Sequence, residues 1–407
     1  MSPRRGRSLP LRRRPCGGMN AVMKRTICLL AVLISGACAE PLELADWTIP
    51  VPEGARIIEY DDPAIEDRDG RIELVEDLVV GPRGEDPNYL FFRPQGVAVD
   101  GGGRMYVLEM GSNRVQVFSP EGEYLRTLGQ QGQGPGELQM PIAITASGDR
   151  IVVSDWRNLR LSHWDAEGIH LGDVPMASGR LEQTIVLTGA GSYVSARGRR
   201  LEDGSGVIDV TLFSAEGTET VRYASLPEPN PVRIEIPGGG GVVIPALAGS
   251  PAFTASPSGE VYATAGQEYQ VLAFDASGSP RWALRAARRR QAFTDEHKST
   301  VVAPLRERFP ELNASEAEWP AFLNTIAGLS VDGHGHLYTF PYFFRGMAPD
   351  ESPVEVYSPE GERLFAGTIN ERAWSAASGD YVYSLRTNEQ TDEAELVRYR
   401  LIEPFDP

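Results

Sequence analysis

The chain has 407 residues, 41% of them hydrophobic and 23% charged, which is the composition of a globular rather than a disordered protein. Its 43 glycines and 31 prolines interrupt the backbone too often for a helical protein, so an all-β chain of short elements joined by turns is expected. Setting aside the eight basic residues of positions 1–37 leaves 31 basic and 56 acidic residues, a net charge of −25 where the whole chain has −17; that surface repels phosphate backbones, so nucleic acid is not an expected partner.

Residues 1–38 differ in kind from the rest. Arg4, Arg5, Arg7, Arg12, Arg13, Arg14, Lys24 and Arg25 precede an apolar run, 27–34, and the small residues Ser35, Gly36 and Ala37. That order predicts a secretory signal, too short in its apolar part to be a stable membrane span, with Met19 or Met23 as alternative starts. Cys16, Cys28 and Cys38 all lie in or at the end of this segment, so the mature domain cannot hold an intramolecular disulfide. Cys38 resembles the cysteine of a bacterial lipobox, although Ser35 stands where that motif has Leu and Leu33 lies two residues further back. Lipidation at Cys38 and ordinary cleavage after Ala37 or Ala39 both remain open; either gives an exported protein, periplasmic or at the cell surface. Residues 39–70 are expected to supply a linker and an extra strand.

From residue 71 a repeated turn dominates, reading aromatic, Ser or Asp, two residues, Gly. It occurs at 118–122, 164–168, 213–217, 274–278 and 357–361, each copy joining two alternating runs as an outer hairpin. A second turn precedes each and recurs a sixth time, at Arg104, Arg150, Ser192, Glu260, His336 and Asp380. The base period is near the ~40–45 residues of a four-stranded propeller blade, with two insertions. The sixth copy lacks its outer hairpin before the chain ends, and the run from Arg71 to Gly81 matches the missing strand. An N-terminal strand is therefore expected to close the last blade.

The segments 92–100, 104–107 and 113–118, with the connector 132–138, resemble NHL-repeat six-bladed β-propellers of bacteria. The resemblance covers residues 71–404 and implies six blades of four antiparallel strands, with ligands on the face opposite the first-to-second-strand turns, around the central channel. It is a resemblance of fold and not of activity. Two segments interrupt the pattern. Residues 227–249 read as a loop or extended hairpin, and residues 288–323 as a helical insertion, with Thr294 and Ser315 as caps; the insertion is either a decoration or a lid over the channel mouth.

The upper face so defined collects Arg93, Glu109, Asp155, Trp156, Arg157, Arg197, Glu268, Tyr269, Tyr342, Phe343 and Arg345. Aromatics mixed with arginine suit a polar or anionic ligand. His334 and His336 fall in a first-to-second-strand turn, which places both imidazoles on the lower solvent-facing rim, without the three or four converging ligands a metal needs. The leading reading is a non-catalytic binding or scaffold propeller at the cell envelope, monomeric, held to the membrane by lipid on Cys38, and taking a protein, peptide or glycan without a cofactor. A hydrolase or lyase of the lactonase-like kind, with a divalent cation in the channel, is the alternative, and a purely structural envelope component the third.

Overall fold

The computed structural model describes residues 49–60, 70–176, 184–188, 191–228, 231–236, 240–244, 251–286, 290–342, 351–370 and 374–404. The leader with Cys38, and Phe343 and Arg345, lie outside the described residues. The fold is an all-β propeller with one α-helix among those residues.

Two strands come first, β1 (Arg56–Tyr60) and β2 (Arg71–Val80). Four-stranded antiparallel groups follow: β3 (Pro94–Val99), β4 (Met105–Glu109), β5 (Arg114–Phe118) and β6 (Tyr124–Leu128); then β7 (Pro141–Ser147), β8 (Arg150–Asp155), β9 (Arg160–Asp165) and β10 (His170–Pro175). The third group is β11 (Ile185–Thr188), β12 (Ser192–Arg200), β13 (Gly206–Phe213) and β14 (Glu219–Pro227), after which β15 (Val232–Glu235) and β16 (Gly241–Ile244) pair as a separate hairpin. The fourth is β17 (Ala252–Ala255), β18 (Val261–Thr264), β19 (Gln270–Phe274) and β20 (Pro280–Ala286), followed by helix α1 (Asp295–Arg308). The fifth is β21 (Ile326–Val331), β22 (Leu337–Pro341), β23 (Ser352–Tyr357) and β24 (Arg363–Ile369), and the last three strands are β25 (Ala376–Ser378), β26 (Tyr381–Thr387) and β27 (Ala394–Ile402).

The N-terminal strand supplies what the last three strands lack. β2 runs antiparallel to β27 from Glu73↔Ile402 to Val80↔Leu396, making a sixth four-stranded group. Its first residues also pair in parallel with β24, at Arg71↔Thr368 and Ile72↔Ile369, which merges the fifth and sixth groups into one eight-stranded sheet. β1 adds to the fourth group in parallel with β20, a pairing the sequence pattern did not contain.

All five outer hairpins close as their sequence predicts. In each, the Ser or Asp carbonyl accepts from the glycine three residues on, and Gly122, Gly168, Gly217, Gly278 and Gly361 have φ of 84, 89, 80, 91 and 82°. Such angles disfavour any residue with a Cβ. Space enforces the choice as well: a Cβ on Gly278 would lie 2.2 Å from Cγ1 of Val221 in the preceding group's outer strand. Apolar clusters fill the seams between neighbouring groups, as where Tyr106, Val115 and Val117 meet Ile151, Val153 and Trp164.

The two insertions pack together, although about fifty residues separate them in sequence. Val232 and Ile234 of β15 share a core with Phe293, Val302, Leu312 and Leu323, with Trp319 and Tyr342 against it. The helix is shorter than the 288–323 predicted. Thr294 caps it with the help of the His297 side chain, but Ser315 begins a turn in which Asn313 Oδ1 accepts its N–H and its hydroxyl, so local side-chain bonding replaces a second helix.

Candidate functional site

The six groups present their first strands, β3, β7, β11, β17, β21 and β25, to one channel of about 650 Å³. Small residues (Gly96, Ala98, Ala143, Ala255) and hydroxyls (Thr145, Thr184, Thr254, Ser330) make much of its wall. Among the described lining residues Asp100 and Asp332 alone can ionise, and both sit where a first strand ends.

Those two carboxylates organise their own turns. Asp100 Oδ1 accepts the N–H groups of Gly102 and Arg104, each at 2.9 Å, while Oδ2 takes Arg104 Nε at 2.6 Å and the Tyr106 hydroxyl at 2.9 Å. Asp332 repeats this with His334 N and His336 N at 2.9 Å and with His336 Nδ1, also at 2.9 Å. The expectation for the His334-Gly335-His336 turn is therefore half corrected. His334 is exposed and meets Asp380 at 2.8 Å, whereas His336 is buried, because it takes the inward place that Arg104 has in the first group.

A second repeated device closes the opposite end of the groups. Glu109, fully buried at the end of β4, accepts Phe92 N at 2.9 Å, the Ser112 hydroxyl at 3.0 Å and Arg114 Nε at 2.8 Å. Asp155, fully buried at the end of β8, accepts Gln139 N at 2.7 Å, Asn158 Nδ2 at 2.7 Å and Arg160 Nε at 3.1 Å. Burial pushes the Asp155 carboxyl above its usual range against the opposing pull of those three donors. In both groups the arginine also reaches carbonyls of the preceding connector, Pro87 for Arg114 and Gly134 and Glu137 for Arg160. These acids fasten each connector to its blade. A buried carboxylate needs such donors before it can be tolerated.

Residues 90–174 match DUF5128, a 6-bladed beta-propeller family. None of the curated proteins matches the chain by sequence. Among solved structures, the propeller is similar to a Bacteroides fragilis protein described as exported (10% identity, 85% of this chain and 100% of that one, TM-score 0.46). It is also similar to a DUF4221 family member from Bacteroides vulgatus (14%, 81% and 98%, TM-score 0.45). A third is virginiamycin B lyase from Staphylococcus aureus (9%, 80% and 99%, TM-score 0.38).

The remaining upper-face residues of the propeller divide into inner and outer. Glu268 pairs at 3.2 Å with Arg290 of the segment between β20 and helix α1, and the Tyr269 hydroxyl sits among Thr339, Glu355 and Tyr357, which builds it into the seam between the fourth and fifth groups. Tyr342 packs on the core of the joined insertions. Arg197 is half-buried, with its guanidinium 3.9 Å above the Phe213 ring. Trp156 is half-buried, and Arg157 and Arg93 are exposed. Arg93 has φ 52°, which is no local oddity, since Met140 at the corresponding place in the second group has the same value. Arg93 borders a cleft of about 380 Å³ with Leu90, Phe92, Pro94, Thr387 and Glu393. Phe92, 62% exposed, is a surface group that sequence reasoning used only as a repeat marker. A local signal for two of the buried acids was present: Glu109 and Asp155 each have an arginine five residues on, whereas Glu268, buried too, has none.

Proposed function

We propose that the chain is a six-bladed β-propeller, closed by β2, exported to the cell envelope and held there by lipid on Cys38, that binds a protein, peptide or glycan rather than transforming it. The observation that carries this reading is the charge-poor channel wall, whose two carboxylates are engaged in their own turns. Acid–base or metal-assisted hydrolysis needs converging ionisable groups where substrate enters, and the described lining residues bring none together at the upper mouth. Recognition needs less: exposed aromatic and guanidinium groups on a firmly held connector and on the β8–β9 loop beside it, as Phe92, Arg93 and Arg157 provide. The joined insertions both enter between the last strand of one blade and the first of the next, at the end where these connectors lie. Six blades are supported by the six four-stranded groups that share one channel, and by the description of the matching family.

The test is capture from envelope extract, comparing the mature protein with a variant carrying Phe92→Ser, Arg93→Asn and Arg157→Ser together. Asparagine suits the left-handed backbone at 93, and exposed substitutions cost under about 0.5 kcal/mol each, so melting should hardly move. The bound component should be lost from the variant. Undiminished capture would place recognition elsewhere on the molecule.

A further inference from the structure

The lower turn of the fifth group departs from that of the first in two ways. Where the first has Arg104, a fixed cation, the fifth has His336, whose charge is removable. A second carboxylate also arrives, from Glu403, just past the end of β27. Asp332 Oδ2 lies 2.9 Å from His336 Nδ1 and 3.3 Å from the Tyr338 hydroxyl. Glu403 Oε1 lies 3.5 Å from the same Nδ1 and also accepts from Tyr338. The three ligand atoms lie within 4.8 Å of one another, on side chains that are 0, 7 and 11% exposed.

Ligands bound tetrahedrally at ~2.0–2.1 Å stand about 3.3 Å apart, and the observed separations bracket that value. Among the described residues two carboxylates share one imidazole, a buried excess of negative charge of a kind that the turn of Asp100 and Arg104 does not have. A proton on His336 would offset only part of it. A divalent cation would offset all of it.

We propose that Asp332, His336 and Glu403 form a structural divalent-cation site, matched best to zinc. One imidazole nitrogen and two carboxylate oxygens are too few and too nitrogenous for calcium, which takes six to eight oxygens. On binding, His336 Nδ1 releases its proton to solvent and the freed lone pair forms the bond to zinc; water completes the coordination. Tyr338 then holds Glu403 in place from the second layer, and the backbone N–H groups of His334 and His336 hold Asp332. The site joins the β21–β22 turn to the residue after β27, so the metal fastens the fifth group to the sixth beside the Glu73↔Ile402 pairing of β2 with β27.

Calorimetric titration of chelator-treated mature protein with zinc should give one equivalent, with a proton released and a higher melting temperature. Cobalt substituted for zinc should show the visible absorption of a tetrahedral site. Glu403→Gln should weaken binding about tenfold or more. His336→Arg copies the arrangement of the first group, so it should stay folded, bind no zinc at this place and lose the zinc-dependent rise in melting temperature. His334→Ala should bind as the parent does. Absence of stoichiometric binding by the parent overturns the site, and so does equal binding by folded His336→Arg and Glu403→Gln proteins, which would assign the metal to surface histidines.

Discussion

Tyr106, Tyr262 and Tyr338 stand at one place in three groups, six residues after Asp100, Ser256 and Asp332. The first and third hydroxyls donate to carboxylates; Ser256 is too short to serve, and the buried Tyr262 hydroxyl has no hydrogen-bond partner among the described residues. Denaturant unfolding should therefore separate the three. Tyr106→Phe is expected to cost about 1.5–3 kcal/mol, the worth of a hydrogen bond to a charged group, whereas Tyr262→Phe should be neutral or stabilising. Equal losses would show that the repeat position, not the partner, sets the energy. His163 is a second test at this scale. Burial and the nearby Arg150 hold its imidazole down to about 4, and its Nε2 has no partner among the described residues. A histidine depressed in the folded state contributes stability that is complete above its unfolded value of 6.5 and lost as pH falls toward 4. The loss should reach about 3 kcal/mol, at 1.36 kcal/mol per unit, and His163→Leu should flatten that part of the stability curve. An unchanged curve would mean that the ring is hydrated or charged in the folded protein.

At the scale of elements, the outer hairpins were legible because their glycine requirement is local: a positive φ shows in the sequence as Gly at a fixed offset. What those glycines touch was not legible. Gly278→Ala combines an unfavourable φ with the approach to Val221, and should cost about 2–4 kcal/mol from the two penalties together. Gly204→Ala, with φ 86° and open space around it, should cost only about 1–2 kcal/mol. Comparable losses in thermal melts would remove the argument from packing between blades. The pairing of β2 with β27 was foreseen from the missing strand of the last repeat, since alternation of Ile72 and Leu74 marks a strand without a neighbour in sequence. The parallel contact of β1 with β20 was not, because one short strand carries no register information until its partner is known.

For the whole molecule, Cys38 offers the simplest check on where the protein resides. Cys38→Ser should move the exported protein from the membrane to the soluble fraction without changing its melting temperature, since the residue precedes the first described strand. Persistent membrane association would remove the lipid anchor from the proposal. No helix among the described residues is long and apolar enough to cross a membrane.

Period, turn chemistry and strand alternation determined the propeller from the sequence alone, because each is a relation between residues a few positions apart, repeated along the chain. The sequence also determined the excess of acidic residues and, with no cysteine after Cys38, the absence of a disulfide within residues 39–407. Burial decided the rest. Glu109 and Asp155 read as upper-face acids until the folded chain put Arg114 and Arg160 beside them and closed both off from water. Asp332, His336 and Glu403 became one cluster only when β27 brought position 403 back to the turn at 332–336, across some seventy residues that no local pattern connects. Charges gain their chemistry from distance and solvent access, and both are properties of the folded chain.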